Sequence, residues 1–296
     1  MMQWESAPGF PDFSGSGGYP LETQPLSNED RAEVERFLEA RPLHTVFLSS
    51  LIRDNGVVSP LNRGIFYGCR NDDGSLEGVA LLGHATIFET GNPECIQAFA
   101  SLSKDFPNTH LIRGEPDKIE SFWNFYGSGR RRARLFSREL LLEKQSPAAT
   151  CEPVPALRQA TLADLEMVVN ANAAMMLHES GINPLIKDRT GFYERIGRRI
   201  WRGRIWLLVE DDQLVFKSDI IAENAHAAYL EGVYVASEKR RQRYGLRCLS
   251  QLTNHLLSRT KTVCLTVNVK LPGALRFYER VGYQVAGSYD TIYLQN

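Results

Sequence analysis

The sequence predicts an α/β (α+β) protein built from two similar domains in tandem, each with a mixed, mostly antiparallel sheet flanked by helices. Three observations lead to this prediction. The chain has 296 residues, more than the roughly 100 to 200 of a typical domain. Residues 146–155 contain three prolines and few apolar side chains, which is typical of a linker. Helix and strand patterns follow in the same order on both sides of this segment.

The first half begins with a helix start signal. Ser27 lies three residues before Asp30 in a capping arrangement, and apolar residues at helical spacing follow. The Asn and Gly residues of the turn at 71–74 suit a hairpin. The remaining patterns predict a second helix at 43–54, strands at 65–69 and 76–82, a helix at 95–102, a strand at 111–113, a helix at 119–126 and a last strand near 135–142.

The second half repeats this order. A short strand at 157–160 precedes a helix that Thr161 and Asp164 open. The similar order of elements in the two halves is the evidence for a duplicated fold. The further elements expected are a helix at 190–202, strands at 205–210, 214–221 and 227–235, a helix from 246, a strand at 263–267, a helix at 272–280 and final strands within 283–294.

These patterns divide the chain into four parts. We predict a flexible tail over residues 1–24, a first domain over 25–148, a linker over 149–156 and a second domain over 157–296. The tail is rich in Gly and Pro. It lacks a basic segment followed by an apolar one, so it is not expected to be a secretory signal.

Composition narrows the class of protein. The chain is 43% hydrophobic and 23% charged, as soluble proteins are, and no apolar run approaches the roughly 18 residues of a membrane span. Its five cysteines are scattered, which argues against a disulfide framework and a metal site and favours the cytoplasm. The net charge of -1 provides no field to attract nucleic acid or an anionic membrane, so neither is expected as a partner.

The most informative segment runs from Tyr229 to Leu257. A β-branched strand ending at Val235 leads into the basic run Arg240–Gly245, which opens a helix with leucines on one face. The first turn of a helix has free backbone N–H groups and a positive dipole end. The segment therefore predicts a binding site for phosphate groups.

Two motifs resemble the GNAT superfamily of N-acetyltransferases. Val233–Val235 with Arg240–Gly245 resembles the family's Arg/Gln-x-x-Gly-x-Gly/Ala pyrophosphate loop, and Ala274–Tyr283 resembles its Ala-x-x-x-Tyr-x-x-x-Gly-Phe signature. A helix and a strand separate them. The whole chain also resembles a group of two-lobed GNAT proteins, which implies two GNAT-like domains, the first of them degenerate.

The resemblance implies acetyl-CoA as co-substrate. Backbone amides of the basic loop would bind its pyrophosphate, and the extended strand end would pair with the pantetheine arm. The residues expected to bind the cofactor are Val233, Tyr234, Val235, Arg240, Arg241, Gln242, Arg243, Tyr244, Gly245 and Asn268.

The resemblance also implies two catalytic residues. Tyr278 would protonate the departing CoA thiolate, and Glu231, expected on the strand face of Val233 and Val235, would deprotonate the attacking amine. Each has an ordinary alternative, because a half-buried Tyr can serve packing and a strand carboxylate can be solvated or paired. Asn268 can likewise form a simple turn at the strand end.

The chain departs from the family pattern at three places. Arg243 replaces the first Gly of the loop, so the loop is either remodelled or begins as an ordinary helix. Leu271 stands where a second Asn is common. In the first half the equivalent segment at 89–94 carries acids and a proline, so we expect one cofactor site per chain.

The predicted function is transfer of an acetyl group from acetyl-CoA to an amine, by direct attack in a ternary complex, with the acceptor near the cleft between the lobes. No cysteine has a catalytic His nearby in sequence, which argues against an acyl-enzyme. One alternative is a non-catalytic CoA-sensing module with a protein partner, and another is nucleic-acid binding through the Arg cluster. The acceptor, the acyl chain length, any ligand of the first lobe and the oligomeric state stay open.

Overall fold

The computed structural model of the protein describes residues 21–127, 131–147 and 152–295. Within these ranges, strands form one continuous sheet with helices on its faces. The strands are β1 (Glu22–Pro25), β2 (Gly64–Arg70), β3 (Leu76–Gly83), β4 (Ala85–Thr90), β5 (Leu111–Gly114), β6 (Ala133–Lys144), β7 (Arg158–Gln159), β8 (Ile205–Glu210), β9 (Gln213–Glu223), β10 (Ala227–Val235), β11 (Thr262–Asn268) and β12 (Gln284–Leu294). The helices are α1 (Arg31–Glu39), α2 (Val46–Asn55), α3 (Pro93–Leu102), α4 (Pro116–Tyr126), α5 (Leu165–Ser180), α6 (Pro184–Lys187), α7 (Arg189–Trp201), α8 (Tyr244–Leu257) and α9 (Pro272–Val281).

The two halves repeat one order of elements. Apart from the short α6, each half runs strand, two helices, three strands, helix, strand, helix, strand. The sheet order is β1-β2-β3-β4-β5-β12-β6-β11-β10-β9-β8-β7, which is symmetric about the contact between β12 and β6. The predicted mixed fold of two similar halves is confirmed.

Each half completes the sheet of the other. β6, from the first half, lies between β11 and β12 and pairs antiparallel with both. β12, the last strand of the chain, lies between β5 and β6. The sheet runs without a break across the predicted domain boundary near residue 150. The division into two domains therefore stays a prediction.

Two predicted boundary segments differ from the structure. The predicted tail is wrong for residues 22–24, which belong to β1 and pair with β2; residues 1–20 lie outside the described ranges. The first three residues of the predicted linker, 149–151, also lie outside them. Val154, further along that linker, is buried against α8, where Gln251 accepts a hydrogen bond from its N–H at 2.7 Å.

The core continues from one half into the other. On one face of the sheet, α8 buries its leucine stripe, as its spacing predicts. On the other face, Val46 of α2 and Leu141 of β6 pack with Ala222, Tyr229 and Cys264 from the second half. Since each buried aliphatic side chain stabilises the fold by roughly 1.5–3 kcal/mol, this shared cluster stabilises both halves together.

A buried lysine links β6 to α9. The Nζ of Lys144 donates a 2.8 Å hydrogen bond to the carbonyl of Val281 at the end of α9. A cation at a helix C-terminus interacts favourably with the helix dipole. The first half therefore supports a helix of the second.

None of the helices in the described ranges is long and apolar enough to cross a membrane.

We predict that the sheet unfolds as a single unit. Leu141→Ala should lower the free energy of unfolding by about 2–5 kcal/mol, because it opens a cavity in the shared core. Denaturant titrations would use the fluorescence of two variants. In one the only tryptophan is Trp123 of the first half, and in the other it is Trp206 of the second half. Both probes should report the same midpoint.

The control is Val285→Ala, a largely exposed position on β12, which should change stability by no more than about 0.5 kcal/mol. Separate transitions at Trp123 and Trp206 would contradict a single cooperative sheet.

Candidate functional site

The site lies where β10 and β11 part. Their parallel pairing starts at Ala227 and Thr262 and stops at Leu230 and Leu265. β10 continues beyond this point and keeps its pairing with β9 up to Val235. From Glu231 to Val235, one edge of β10 therefore faces a gap rather than a strand.

A β-bulge lies at the start of the gap. Three residue steps on β10, from Glu231 to Tyr234, match two on β9, from Asp219 to Lys217. Gly232 within the bulge has φ +60°, and a Cβ there would lie 2.8 Å from the Nζ of Lys217. The left-handed conformation favours glycine, and a Cβ at this position would disturb the buried ion pair of Lys217 with Asp219.

The bulge changes the orientation of Glu231. Cross-strand partners share a face, so Glu231 and Tyr234 lie on the face of Asp219 and Lys217. Val233 and Val235 pack instead against the core beneath α8. The prediction that Glu231 shares a face with these valines is wrong, because the extra residue breaks the simple alternation.

The basic loop has a glycine-like backbone at two arginines. Arg241 and Arg243 have φ of 64° and 65°. Arg243 caps α8 in the left-handed region, so the loop does not begin as an ordinary helix. The first intrahelical bond runs from the N–H of Arg247 to the carbonyl of Arg243 at 3.0 Å. The N–H groups of residues 244–246 thus have no partner within the helix.

Gly245 lets the start of α8 approach the end of β10. A Cβ at this position would lie 2.9 Å from Cγ2 of Val235 and 3.3 Å from the ring of Phe277. The missing side chain therefore brings the helix start, the strand end and α9 together.

A cavity of about 1420 Å³ joins the loop to the gap. Its walls are α5, the end of β10, the basic loop and α9. Lys239 at its rim pairs with Glu210 at 2.8 Å. Within the described ranges, no carboxylate forms an ion pair with Arg241, Arg243 or Arg280, which also line the cavity. This end of the cavity is therefore suited to an anion.

Tyr278 lines the same cavity from α9. Its ring packs against Phe277, with centroids 5.2 Å apart, and against Tyr283 at 6.1 Å. Burial, together with the charge of nearby Glu179, raises the pKa of Tyr278 to about 12. The phenol is therefore protonated at neutral pH and able to donate a proton.

Glu231 lies on the other face of the sheet. Solvent reaches its side chain, yet protein surrounds the carboxyl closely, and this desolvation raises its pKa. Arg113 opposes the increase. A carboxylate with a raised pKa beside a gap between strands is suited to accept a proton.

Comparison with protein families agrees with this geometry. Residues 201–285 match the family model of the acetyltransferase (GNAT) domain. This part of the chain therefore matches a GNAT domain. The matched residues include β8 to α9, and thus the parting strands, the basic loop and Tyr278 of the GNAT domain.

Solved structures resemble the whole chain. A Drosophila protein is 14% identical over 94% of this chain and 99% of its own, with a TM-score of 0.69. A GNAT-family acetyltransferase from Colwellia psychrerythraea is 12% identical over 93% and 100%, with a TM-score of 0.56. A tandem GNAT protein from the clavulanic acid biosynthesis pathway is 14% identical over 92% and 98%, with a TM-score of 0.55. At these identities the likeness concerns the fold, and it extends to both halves. No curated protein matches the chain.

The cavity brings together most of the predicted site residues. Two predicted cofactor residues lie apart from its lining: Gln242, whose amide donates to the carbonyl of Glu238 at 2.8 Å, and Asn268. Asn268 donates to Ser137 at 2.9 Å and accepts from the N–H of Lys270 at 2.8 Å, so it forms the turn after β11. The predicted residues that line the cavity are Val233, Tyr234, Val235, Arg240, Arg241, Arg243, Tyr244, Gly245 and Tyr278.

Sequence reasoning missed several charged residues near the site. Glu179 lines the cavity from α5, although its pair with His178 predicted no role because the sequence showed no third partner. Arg113 and Glu139 come from the first half, pair with each other at 3.0 Å and act on the charge of Glu231. A charged residue inside the short, apolar β5 was the available signal for Arg113. Burial also raises the pKa of Glu179, with a contribution from Glu139.

We predict that the loop backbone is strained at Arg243. Arg243→Gly should raise the free energy of unfolding by up to about 1 kcal/mol. The change removes the cost of a left-handed backbone at a residue with a Cβ, about 1–2 kcal/mol. It adds the larger loss of chain entropy that glycine undergoes on folding, about 0.5–1 kcal/mol. Urea denaturation would measure the change.

Gln242→Gly is the matched control, since Gln242 is not among the residues with positive φ. It should lower stability. An Arg243→Gly variant that lost as much stability as Gln242→Gly would contradict the strain.

Proposed function

We propose that the protein is an acetyl-CoA-dependent N-acetyltransferase that moves an acetyl group to an amine by direct attack in a ternary complex. The observation that carries the proposal is the cavity that joins a basic helix start, an unpaired strand edge and Tyr278. These three parts match the phosphate, amide and thioester parts of acetyl-CoA in order.

The residues present fit the cofactor. The N–H groups at the start of α8 and the unpaired arginines would bind the pyrophosphate, as helix N-termini bind anions generally. The backbone of Val233 and Val235 has no strand partner on the side of β11, and the carbonyl of Val235 accepts from Nε of Arg240 at 3.1 Å. This edge would pair with the amides of the pantetheine arm as a further strand does. The thioester would then lie in the gap near Tyr278.

The reaction needs no protein nucleophile. The amine nitrogen attacks the thioester carbonyl, a C–N bond forms and the C–S bond breaks. Tyr278 gives its phenolic proton to the departing thiolate, and Glu231 takes the proton that the amine loses, directly or through water. Tyr278 acts in the protonated state that burial favours. Glu231 acts as the ionised carboxylate, which burial disfavours and the charge of Arg113 favours.

One cofactor site per chain is part of the proposal. At the equivalent helix start in the first half, the side chain of Asn92 already accepts from the N–H of Glu94 at 3.0 Å. Glu89 beside it pairs with Arg41 at 2.8 Å and Lys118 at 2.7 Å. A self-capped helix start next to a bound carboxylate offers little to a pyrophosphate.

The acceptor would enter from the cleft between the halves. Glu231 opens to this side, and the first half contributes Arg113 and Glu139 to its wall. Domain interfaces are common places for ligand sites.

We predict that Tyr278→Phe lowers kcat by about 100-fold or more, because general acid catalysis is worth about that much. The affinity for acetyl-CoA should be unchanged, since the ring still packs in place. Thiol release with an accepted amine would measure turnover, and calorimetry would measure affinity.

Tyr283→Phe is the matched control. Its hydroxyl is buried and bonded to Thr253 at 2.8 Å, so its loss should affect stability rather than kcat. Unchanged turnover in Tyr278→Phe would remove its role as acid.

We predict that Arg241→Ala weakens acetyl-CoA binding by about tenfold or more, the effect of one hydrogen bond to a charged group. Binding in wild type should fall with added salt, and this dependence should be weaker in the variant. Calorimetric titration at two salt concentrations would test both.

Arg276→Ala, on the exposed side of α9, should bind acetyl-CoA as wild type does.

Binding of acetyl-CoA without CoA release across a broad amine panel would favour the non-catalytic CoA-sensing module instead.

A further inference from the structure

Arg113 of the first half reaches the point where β10 and β11 part. Its Nη2 donates to the hydroxyl of Tyr229 at 3.1 Å and to Oγ1 of Thr266 at 3.0 Å. Tyr229 and Thr266 flank the last parallel pair of the two strands, and their hydroxyls are 2.8 Å apart. One guanidinium therefore binds both strands at their last point of contact.

Two more strands hold the guanidinium in place. Glu139 of β6 pairs with Nη2 of Arg113 at 3.0 Å and accepts from Thr266 at 3.2 Å. The guanidinium also lies over the ring of Tyr289 on β12, 5.3 Å from its centroid. A planar group with several fixed donors and an aromatic partner is a role that arginine fills and lysine does not.

We propose that Arg113 is a positioning residue for acetyl transfer, which fixes the two strands where they part and adjusts the charge balance at Glu231. The inference rests on the proposed function, in which Glu231 is the base. It assigns the first half a direct part in the second half's site.

The charges around Glu231 determine the direction in which Arg113 shifts the pH dependence of activity. Burial raises the pKa of Glu231, the positive charge of Arg113 lowers it most among its neighbours, and Glu139 raises it. A general base works deprotonated, so Arg113 extends activity to lower pH. The titratable and charged groups around Glu231 are Arg113 from β5, Glu139 from β6, Glu179 from α5, Arg199 from α7, Lys217 and Asp219 from β9, Tyr229 from β10 and Tyr293 from β12.

The test uses two variants that break the same ion pair with opposite electrostatic effects. Arg113→Met should move the acidic limb of the kcat/KM profile to higher pH by about one unit, since a charge nearby shifts a carboxyl by about that much. Glu139→Gln should move it to lower pH. Loss of structure alone would affect both variants in the same direction, and shifts of the same sign would overturn the proposal.

A second pair of variants separates position from charge. Tyr229→Phe keeps the charge of Arg113 and removes one of its contacts, so kcat should fall while the acidic limb stays in place. Arg113→Lys keeps the charge without the fork of donors and should behave in the same way. A wild-type kcat in both variants would overturn the positioning role. Thermal unfolding of each variant identifies any that fail to fold.

A readout without catalysis distinguishes this inference from the proposed function. Carbon-13 NMR of labelled glutamate carboxyls in the full chain, with the Glu231 signal assigned by Glu231→Gln, would follow the titration of Glu231 directly. Its pKa should rise in Arg113→Met and fall in Glu139→Gln even if no amine is accepted. An unchanged Glu231 titration in both variants would overturn the electrostatic role.

Discussion

The parting of β10 from β11 is the constraint on which the site depends. Backbone N–H and C=O groups inside a protein need hydrogen-bond partners, and an open strand edge in the middle of a sheet leaves a row of them without any. β9 supplies partners on one edge of β10 up to Val235. On the other edge, the gap beyond Leu230 leaves room for an extended ligand to take the position of a strand.

A buried ion pair supports this arrangement from β9. The Nζ of Lys217 lies 2.5 Å from Oδ1 of Asp219, and Arg199 and Asn172 bind the other carboxylate oxygen at 3.0 and 3.2 Å. A fully buried pair of charges costs about as much in desolvation as it gains, so stability is a poor reason to keep it. Its position against Gly232 indicates that it specifies the shape of the bulge, and with it the direction of Glu231.

Local pattern was enough for part of this structure. The leucine spacing of α8, the hairpin turn at 71–74 and the order of the basic loop and Tyr278 are set by residues near one another in sequence, and each was predictable. β4 and β1 were missed. The face of Glu231 was predicted wrongly, since one extra residue at Gly232 inverts the alternation and a single glycine is its only trace in the sequence.

The contacts between halves were beyond sequence reasoning for a different reason. The alternation of a strand says which side chains are buried but not which strand lies beside it. Nothing in β6 therefore indicates that it pairs with β11 and β12. Arg113 and Tyr229 are 116 positions apart, and only the exchange of last strands brings β5 close enough for the contact.

The exchange of last strands between the halves also determines the order in which the strands of the sheet can pair. β5 and β6 are synthesised near the middle of the chain, but the strands that cover their edges, β11 and β12, leave the ribosome last. Until then both carry open edges, which are templates for pairing with other chains. Contacts so distant in sequence make folding slow. A chain that stops short of β12 leaves a gap at the centre of the sheet, so neither half, however alike the two are, can complete its sheet without the other.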